Sequence, residues 1–238
     1  MKKILMLLSI FVTLLFGAVP HAQANDEGVI VTDTTQGNHL FTSKFEFDSI
    51  WSTAVALSPT TYLTAGHAVK YQSQEAELGY IYPAYSGILD PLSYMSITQS
   101  INYADNKLPG GKDIALIKGT EPSKSMEHYL AEKAPTIKVV DEISDFIGQE
   151  VYTIGYPKET SGNYQVKKEG KITAKGNTSG GKTIETDIAP TAGGGQSGSG
   201  LYLKETDELI GILSGVGGSS TYFAPITTEV NNWIDSNK

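Results

Sequence analysis

From Val29 to the C-terminus, apolar residues arrive in short runs punctuated by turn residues, and no long helical periodicity intervenes. Trp51–Leu57 predicts a strand, Ser58-Pro59-Thr60-Thr61 a turn, and Tyr62–Thr64 a returning strand, as in a hairpin. Ala65-Gly66-His67-Ala68-Val69 ends that strand and opens a short helical turn. Weaker strands are expected around Gly79–Tyr82 and Tyr94–Ile101, then a turn at Pro109-Gly110-Gly111 and a buried strand at Asp113–Ile117. Residues 119–145 carry no firm pattern and read as a connection between two halves. Strands resume at Glu150–Ile154, Gln165–Lys168, Lys171–Ala174, Thr183–Ile188, Gly200–Leu203, Leu209–Leu213 and Tyr222–Ala224. Many short strands at this spacing predict an all-β chain built as barrels or a sandwich. Thr227 then caps an expected helix with apolar positions at Val230, Trp233 and Ile234, packed on the second half.

The first residues are of another kind. Lys2 and Lys3 precede an apolar run from Ile4 to Val19, and Ala22-Gln23-Ala24 supplies small residues for signal peptidase. This reads as a secretory signal, too short and wrongly flanked for a membrane anchor. Taking these 24 residues from the 238 leaves 214, and the formal net charge moves from −8 to −10 because two lysines and no acid depart. The expected product is an exported protein without a membrane anchor. All 18 basic residues are lysine, and an acidic surface without arginine argues against nucleic-acid binding. With no cysteine, stability must come from a packed core rather than a disulfide framework.

Chemistry concentrates in Thr191-Ala192-Gly193-Gly194-Gly195-Gln196-Ser197-Gly198-Ser199-Gly200-Leu201-Tyr202. Glycines allow backbone angles closed to other residues. Here they would let the Gly195 and Ser197 amides converge beside the Ser197 hydroxyl as an oxyanion hole. A flexible Gly/Ser loop is the plainer reading of such a cluster. A serine becomes nucleophilic only when a base takes its proton, and that base needs a carboxylate to hold its tautomer. His39, in a polar segment, and His128, in the connection, read as ordinary surface residues. His67 follows a strand instead, and Asp113 begins an apolar run where a carboxylate must find hydrogen-bond partners. A core imidazole and a turn aspartate are the alternatives for these two taken singly.

Their order narrows the choice. His67, Asp113 and Ser197 follow one another at intervals of 46 and 84 residues, the chymotrypsin-type His…Asp…Ser order, with the histidine and aspartate in one half and the serine in the other. The α/β-hydrolase order needs a histidine after the serine, and none follows His128. Gly176–Thr183 fits the phosphate-loop expression, but the following residues alternate like a strand and stop at Pro190, so it reads as a hairpin turn. No metal-binding motif is present in the sequence.

Thr64–Val69, Asp113–Ile117, Gly155-Tyr156-Pro157, Gly194–Gly200 and Ile210–Leu213 together resemble the chymotrypsin-like serine proteases of Gram-positive bacteria, the group of staphylococcal glutamyl endopeptidase, the Spl proteases and the exfoliative toxins. Val31–Gly37 also resembles the N-terminal region of the glutamyl endopeptidase, so the resemblance runs from about residue 29 to the end. It implies two six-stranded antiparallel β-barrels with a C-terminal helix, the first within residues 25–135 and the second within 136–238, and a cleft between them. It implies His67 as general base, Asp113 as orienting carboxylate and Ser197 as nucleophile of a secreted endopeptidase. Such an enzyme acts on protein or peptide substrates, needs no cofactor or metal, and is expected to be a monomer away from nucleic acid and membrane. The chain departs from the group's pattern in three places. Gly200 stands for proline in a loop with an additional glycine. Gln196 stands for asparagine and cannot form the ion pair of trypsin-like zymogen activation. Leu213 stands where glutamyl endopeptidases carry a glutamate-binding histidine. Thr191, Ala192, Leu213, Ser214 and Gly215, with Ser219 and Ser220, would then line an uncharged pocket of open preference. A protease fold retained as a binding module or toxin is the alternative, and the mature end is Asn25 or a trimmed residue such as Val29.

Overall fold

The computed structural model describes residues 28–87, 89–104, 109–131 and 133–238. The signal segment, its cleavage site and Asn25 lie outside the described residues.

Strands β2 (Thr42–Phe47), β3 (Ile50–Ala56), β4 (Thr61–Thr64), β5 (Gln74–Pro83), β6 (Met95–Asn102) and β7 (Ala115–Lys118) close into a barrel in the order β2-β3-β4-β7-β6-β5. A second barrel is formed by β8 (Glu150–Gly155), β9 (Val166–Thr178), β10 (Gly181–Thr186), β11 (Gly200–Leu203), β12 (Leu209–Gly217) and β13 (Ser220–Pro225). Its order is β9-β10-β13-β12-β11-β8, closed by β8 pairing back to β9, and the short β1 (Val29–Ile30) adds to β9. Every pairing within the two barrels is antiparallel, and closure removes the exposed sheet edges an open sheet would carry. This is the two-barrel, chymotrypsin-like architecture with a C-terminal helix.

Alternation along the strands decides which barrel each side chain serves, because successive side chains point to opposite faces. Val151 of β8 and Leu201 and Leu203 of β11 fill the second barrel with Ile172, Ile184, Ile210 and Phe223. Their neighbours Tyr152, Ile154 and Tyr202 turn outward and join the apolar cluster continuous with Phe45, Val55, Leu63 and Leu116 of the first barrel. Tyr152 and Tyr202 stack at 5.2 Å between centroids. The cleft floor is therefore one packed interior shared by two barrels.

Several elements differ from expectation. The connection holds α2 (Lys124–Leu130), capped by Ser123 Oγ accepting from the Met126 amide, with Met126 and Leu130 buried one turn apart. A further short helix, α1 (Gly37–Phe41), precedes β2. The two short strands expected at 165–174 are one strand, β9, which gains pairing from β8, β10 and β1 along its length. The rejected phosphate-loop match spans the β9–β10 hairpin, where Thr178 pairs with Gly181. Helix α3 (Thr228–Asn237) starts at the expected cap, with Thr227 Oγ1 accepting from the Val230 amide. It does not pack on the second half alone. Trp233 meets Tyr103 of the first half edge-on at 5.2 Å, because the chain end crosses back over the barrel junction.

Candidate active site

His67 lies in the single helical turn Gly66–Val69 that follows β4, and Asp113 lies two residues before β7. β4 and β7 are neighbours, with Thr64 paired to Ala115, so residues 46 apart in the chain become adjacent. His67 Nδ1 stands 2.7 Å from Asp113 Oδ2, and the His67 amide donates to Asp113 Oδ1 at 2.8 Å. Asp113 is fully buried, while about a third of the His67 side chain is exposed. A carboxylate held out of water needs such donors. With Nδ1 facing it, the neutral imidazole carries its proton there and presents Nε2 as the basic nitrogen.

Ser214 supplies a third donor. Its Oγ donates to Asp113 Oδ2 at 2.6 Å and accepts from the Gly110 amide at 2.9 Å. Ser214 was expected among the pocket residues. It stands outside their lining as the residue passed over at a register shift in the β12–β13 pairing, between Leu213 opposite Phe223 and Gly215 opposite Tyr222. The shift is set by the pairing of β12 with β13, so no local pattern in the sequence identifies Ser214 as a partner of Asp113.

Ser197 comes from the second barrel on the loop before β11. Its carbonyl accepts from the Thr53 amide at 2.8 Å, and the next amide, of Gly198, donates to Leu213 O at 2.9 Å. At Gly198, with φ +86°, a side chain would collide with Thr53 O and Thr64 Oγ1. Only glycine lets the serine loop close against β3 and the end of β4, the strand that leads into His67. Ser197 is half-buried, and its hydroxyl has no hydrogen-bond partner among the described residues.

The loop backbone is held from both sides. Thr53 Oγ1 donates to Gly195 O at 2.9 Å and accepts from the Tyr156 amide at 3.0 Å. The Lys158 amide donates to Gly194 O at 3.0 Å. A peptide's carbonyl and amide point in opposite directions, so a Gly194 carbonyl fixed toward Lys158 sends the Gly195 N–H the other way. Gly195 has φ +90°, and a side chain there would strike Tyr156 O. Among the described residues, the amides of Gly195 and Ser197 have no protein acceptor.

A pocket of about 200 Å³ opens beside Ser197, lined by Thr191, Gln196, Leu213, Gly215, Val216 and Thr221 with Gly193 and Gly194. No charged side chain lines it. Of the residues expected there, Thr191, Leu213 and Gly215 are present, while Ala192 is exposed with its amide donating to Glu159 Oε1 at 3.1 Å. Ser219 and Ser220 stand outside the lining, at the tip of the β12–β13 hairpin. Val216 and Thr221 extend the pocket along the same two strands and were not anticipated. Gln196 is nearly buried, and Thr191 Oγ1 donates to its Oε1 at 2.7 Å.

Two other aromatic groups flank the centre. The Tyr71 ring lies 6.4 Å from His67, its phenol pushed up to about 12 by burial and by the nearby Asp113. Trp51 Nε1 donates to Tyr156 O at 2.8 Å and backs directly onto Gly195. Of the remaining histidines, His128 is exposed as expected, whereas His39 is half-buried on α1 rather than a free surface residue. Burial holds its imidazole below the ordinary histidine value.

Comparison with known proteins agrees with this architecture. The family model described as trypsin matches residues 29–234. A solved structure of Glu endopeptidase in complex with MPD superposes with a TM-score of 0.71 at 19% identity, covering 90% of this chain and 97% of that one. The protease Anisep from Arthrobacter nicotinovorans gives a TM-score of 0.61 at 14% identity over 86% of this chain and 97% of that one. A thermostable serine protease from an extremophilic microorganism gives 0.61 at 15% identity over 86% and 100%. At these identities the structural likenesses establish the fold. No curated protein is similar enough in sequence to match. The family match over nearly the whole described chain, with protease structures sharing its two barrels, means that this protein belongs to the trypsin family.

Proposed function

We propose that this protein is a secreted serine endopeptidase working through an acyl-enzyme, with His67, Asp113 and Ser197 as its catalytic residues. The observation that carries the reading is the 2.7 Å contact between His67 Nδ1 and a fully buried Asp113, beside a cleft that receives the Ser197 loop. His67 Nε2 takes the proton from Ser197 Oγ as a bond forms between Oγ and the peptide carbonyl carbon. The free Gly195 and Ser197 amides receive the developing oxyanion, a contribution of about 2.7–4 kcal/mol per donor in comparable sites. The C–N bond then breaks, and His67 returns its proton to the leaving amine. Water, deprotonated by the same imidazole, releases the acyl group. Asp113 keeps the imidazole oriented and stabilises its charged form.

The pocket supports an uncharged side chain before the scissile bond. Leu213 and Val216 supply apolar surface, and no cation lines the pocket to hold a glutamate. Export rests on the N-terminal segment read from the sequence. A second reading, a protease fold kept for binding, is favoured by the unpaired Ser197 hydroxyl. Catalytic hydrogen bonds are often loose before substrate arrives, so the two readings separate only by reactivity. A fluorophosphonate reagent should label Ser197, and His67→Ala should abolish labelling. Failure of the folded wild-type protein to label would leave the binding module as the better account.

A further inference from the structure

Outside the cleft, a band of rings lies on the outer face of β3, β2 and β5 and on the residues flanking β5 and β6. Cross-strand register sets Lys44 opposite Tyr82 and Glu46 opposite both Trp51 and Tyr80, so their side chains share that face. The Lys44 ammonium lies 5.4 Å from the Trp51 ring and 5.2 Å from the Tyr85 ring. Tyr85 contacts Tyr82 at 5.8 Å, Tyr82 contacts Tyr94 at 5.7 Å, and Tyr94 meets Tyr80 edge-on at 5.6 Å. Tyr94 is 53% exposed and Tyr80 38%. Lys44 itself is nearly buried and pairs with Glu46 at 3.4 Å, so the band offers ring faces and hydroxyls with little free charge.

One end of this band is continuous with the candidate active site. A side chain at Gly195 would stand 2.6 Å from Trp51 Nε1, placing that indole against the loop that carries the free amide. The pocket lies elsewhere on the loop, bounded by β12 and β13. A peptide whose residue before the cut fills the pocket must therefore pass Ser197 and leave past Gly195 toward Trp51. We infer that the Trp51–Lys44–Tyr85–Tyr82–Tyr94–Tyr80 band binds the portion of an extended substrate that follows the scissile bond, and favours aromatic side chains there. The chemistry fits, since rings pair with rings at offset or edge-on geometry and the acidic protein disfavours an acidic partner. This inference rests on the endopeptidase reading above.

The test compares two peptides with a common segment before the cut, chosen from a library, and either Phe/Trp or Gly/Ser in the four positions after it. For the wild type, the Phe/Trp peptide should show a kcat/KM about five- to tenfold higher, the size expected of one or two aromatic contacts. That ratio should collapse toward one in the double variant Tyr82→Ala/Tyr94→Ala and persist in Tyr82→Phe/Tyr94→Phe, which keeps the rings. Because the readout is a ratio within each variant, a general loss of activity cannot imitate it. A wild-type ratio of one, a preference for acidic residues after the cut, or a dimer buried through this face on sedimentation would overturn the inference and leave the endopeptidase reading intact. Absence of fluorophosphonate labelling would remove both.

Discussion

On the first-barrel side of the cleft, Asp113 is fully buried and accepts from the His67 amide, the His67 ring and Ser214. On the second-barrel side, the Ser197 hydroxyl and the amides of Gly195 and Ser197 have no protein partner among the described residues. One region has its partners within the protein, and the other holds the groups that, on the proposed mechanism, a substrate would engage. The difference follows from what each must do. A buried carboxylate without donors would cost several kcal/mol or take up a proton, so its partners must be permanent. On the proposed mechanism the amides of Gly195 and Ser197 meet charge that exists only transiently, so they must stay free of protein acceptors, and the backbone is held through its carbonyls instead. Gly194 O is tied to Lys158 and Gly195 O to Thr53, which leaves the amides rigid and available.

This contrast can be broken experimentally, most forcefully at the carboxylate. Asp113→Asn should lower kcat by about 10⁴-fold, because an amide stabilises the wrong imidazole tautomer while preserving shape. A drop of less than tenfold in a folded variant would show that the buried side does not control the base. On the other side, Gly195→Ala should cost about 10²- to 10³-fold in kcat as the strained residue swings the amide out of position. Its KM for a short amide substrate should change little, and a dominant effect on KM would mean that the loop serves binding rather than charge stabilisation. Ser214→Ala removes one of three donors to Asp113, and a loss of about tenfold is expected, corresponding to one hydrogen bond to a charged group. Full activity in that variant would make the Ser214 contact merely structural.

The smallest expected effect lies outside the cleft and checks that acid sensitivity is not mistaken for a property of it. Burial lowers the His39 pKa, so the unfolded chain takes up a proton that the folded chain resists. Stability from this group is complete above about pH 6.5 and declines as the pH falls below it, until folded His39 is itself protonated. Thermal unfolding of His39→Gln should show a flatter decline in Tm through that window than the wild type. Parallel curves would assign the acid sensitivity elsewhere.

Much of this could be read along the chain. The strand punctuation, the hairpin at 176–183 and the Thr227 cap are local features, set by turn residues, alternation and capping geometry within a few positions, and the order of His67, Asp113 and Ser197 is read directly off the linear chain. Helix α2 escaped because seven residues with one capping serine give too little periodicity to stand out. Ser214 is not legible as a partner of Asp113, because the register shift that takes it out of the pocket lining arises only when β12 pairs with β13.

The sequence by itself determined the strand-rich class, which residues could serve as nucleophile, base and carboxylate, and the absence of a disulfide framework. The class depends on residue types and local spacing, and the candidate residues on local motifs and on the linear order of three side chains 46 and 84 residues apart. The tertiary structure decided which residues line the pocket, that Ser214 serves Asp113, that Thr53 and Lys158 hold the glycine loop, and that Trp51 stands behind Gly195. These contacts join residues far apart in the chain, from 36 positions for Lys158 and Gly194 to 144 for Trp51 and Gly195. Their meeting is fixed by barrel closure and by the packing of one barrel on the other, which no short window of sequence encodes.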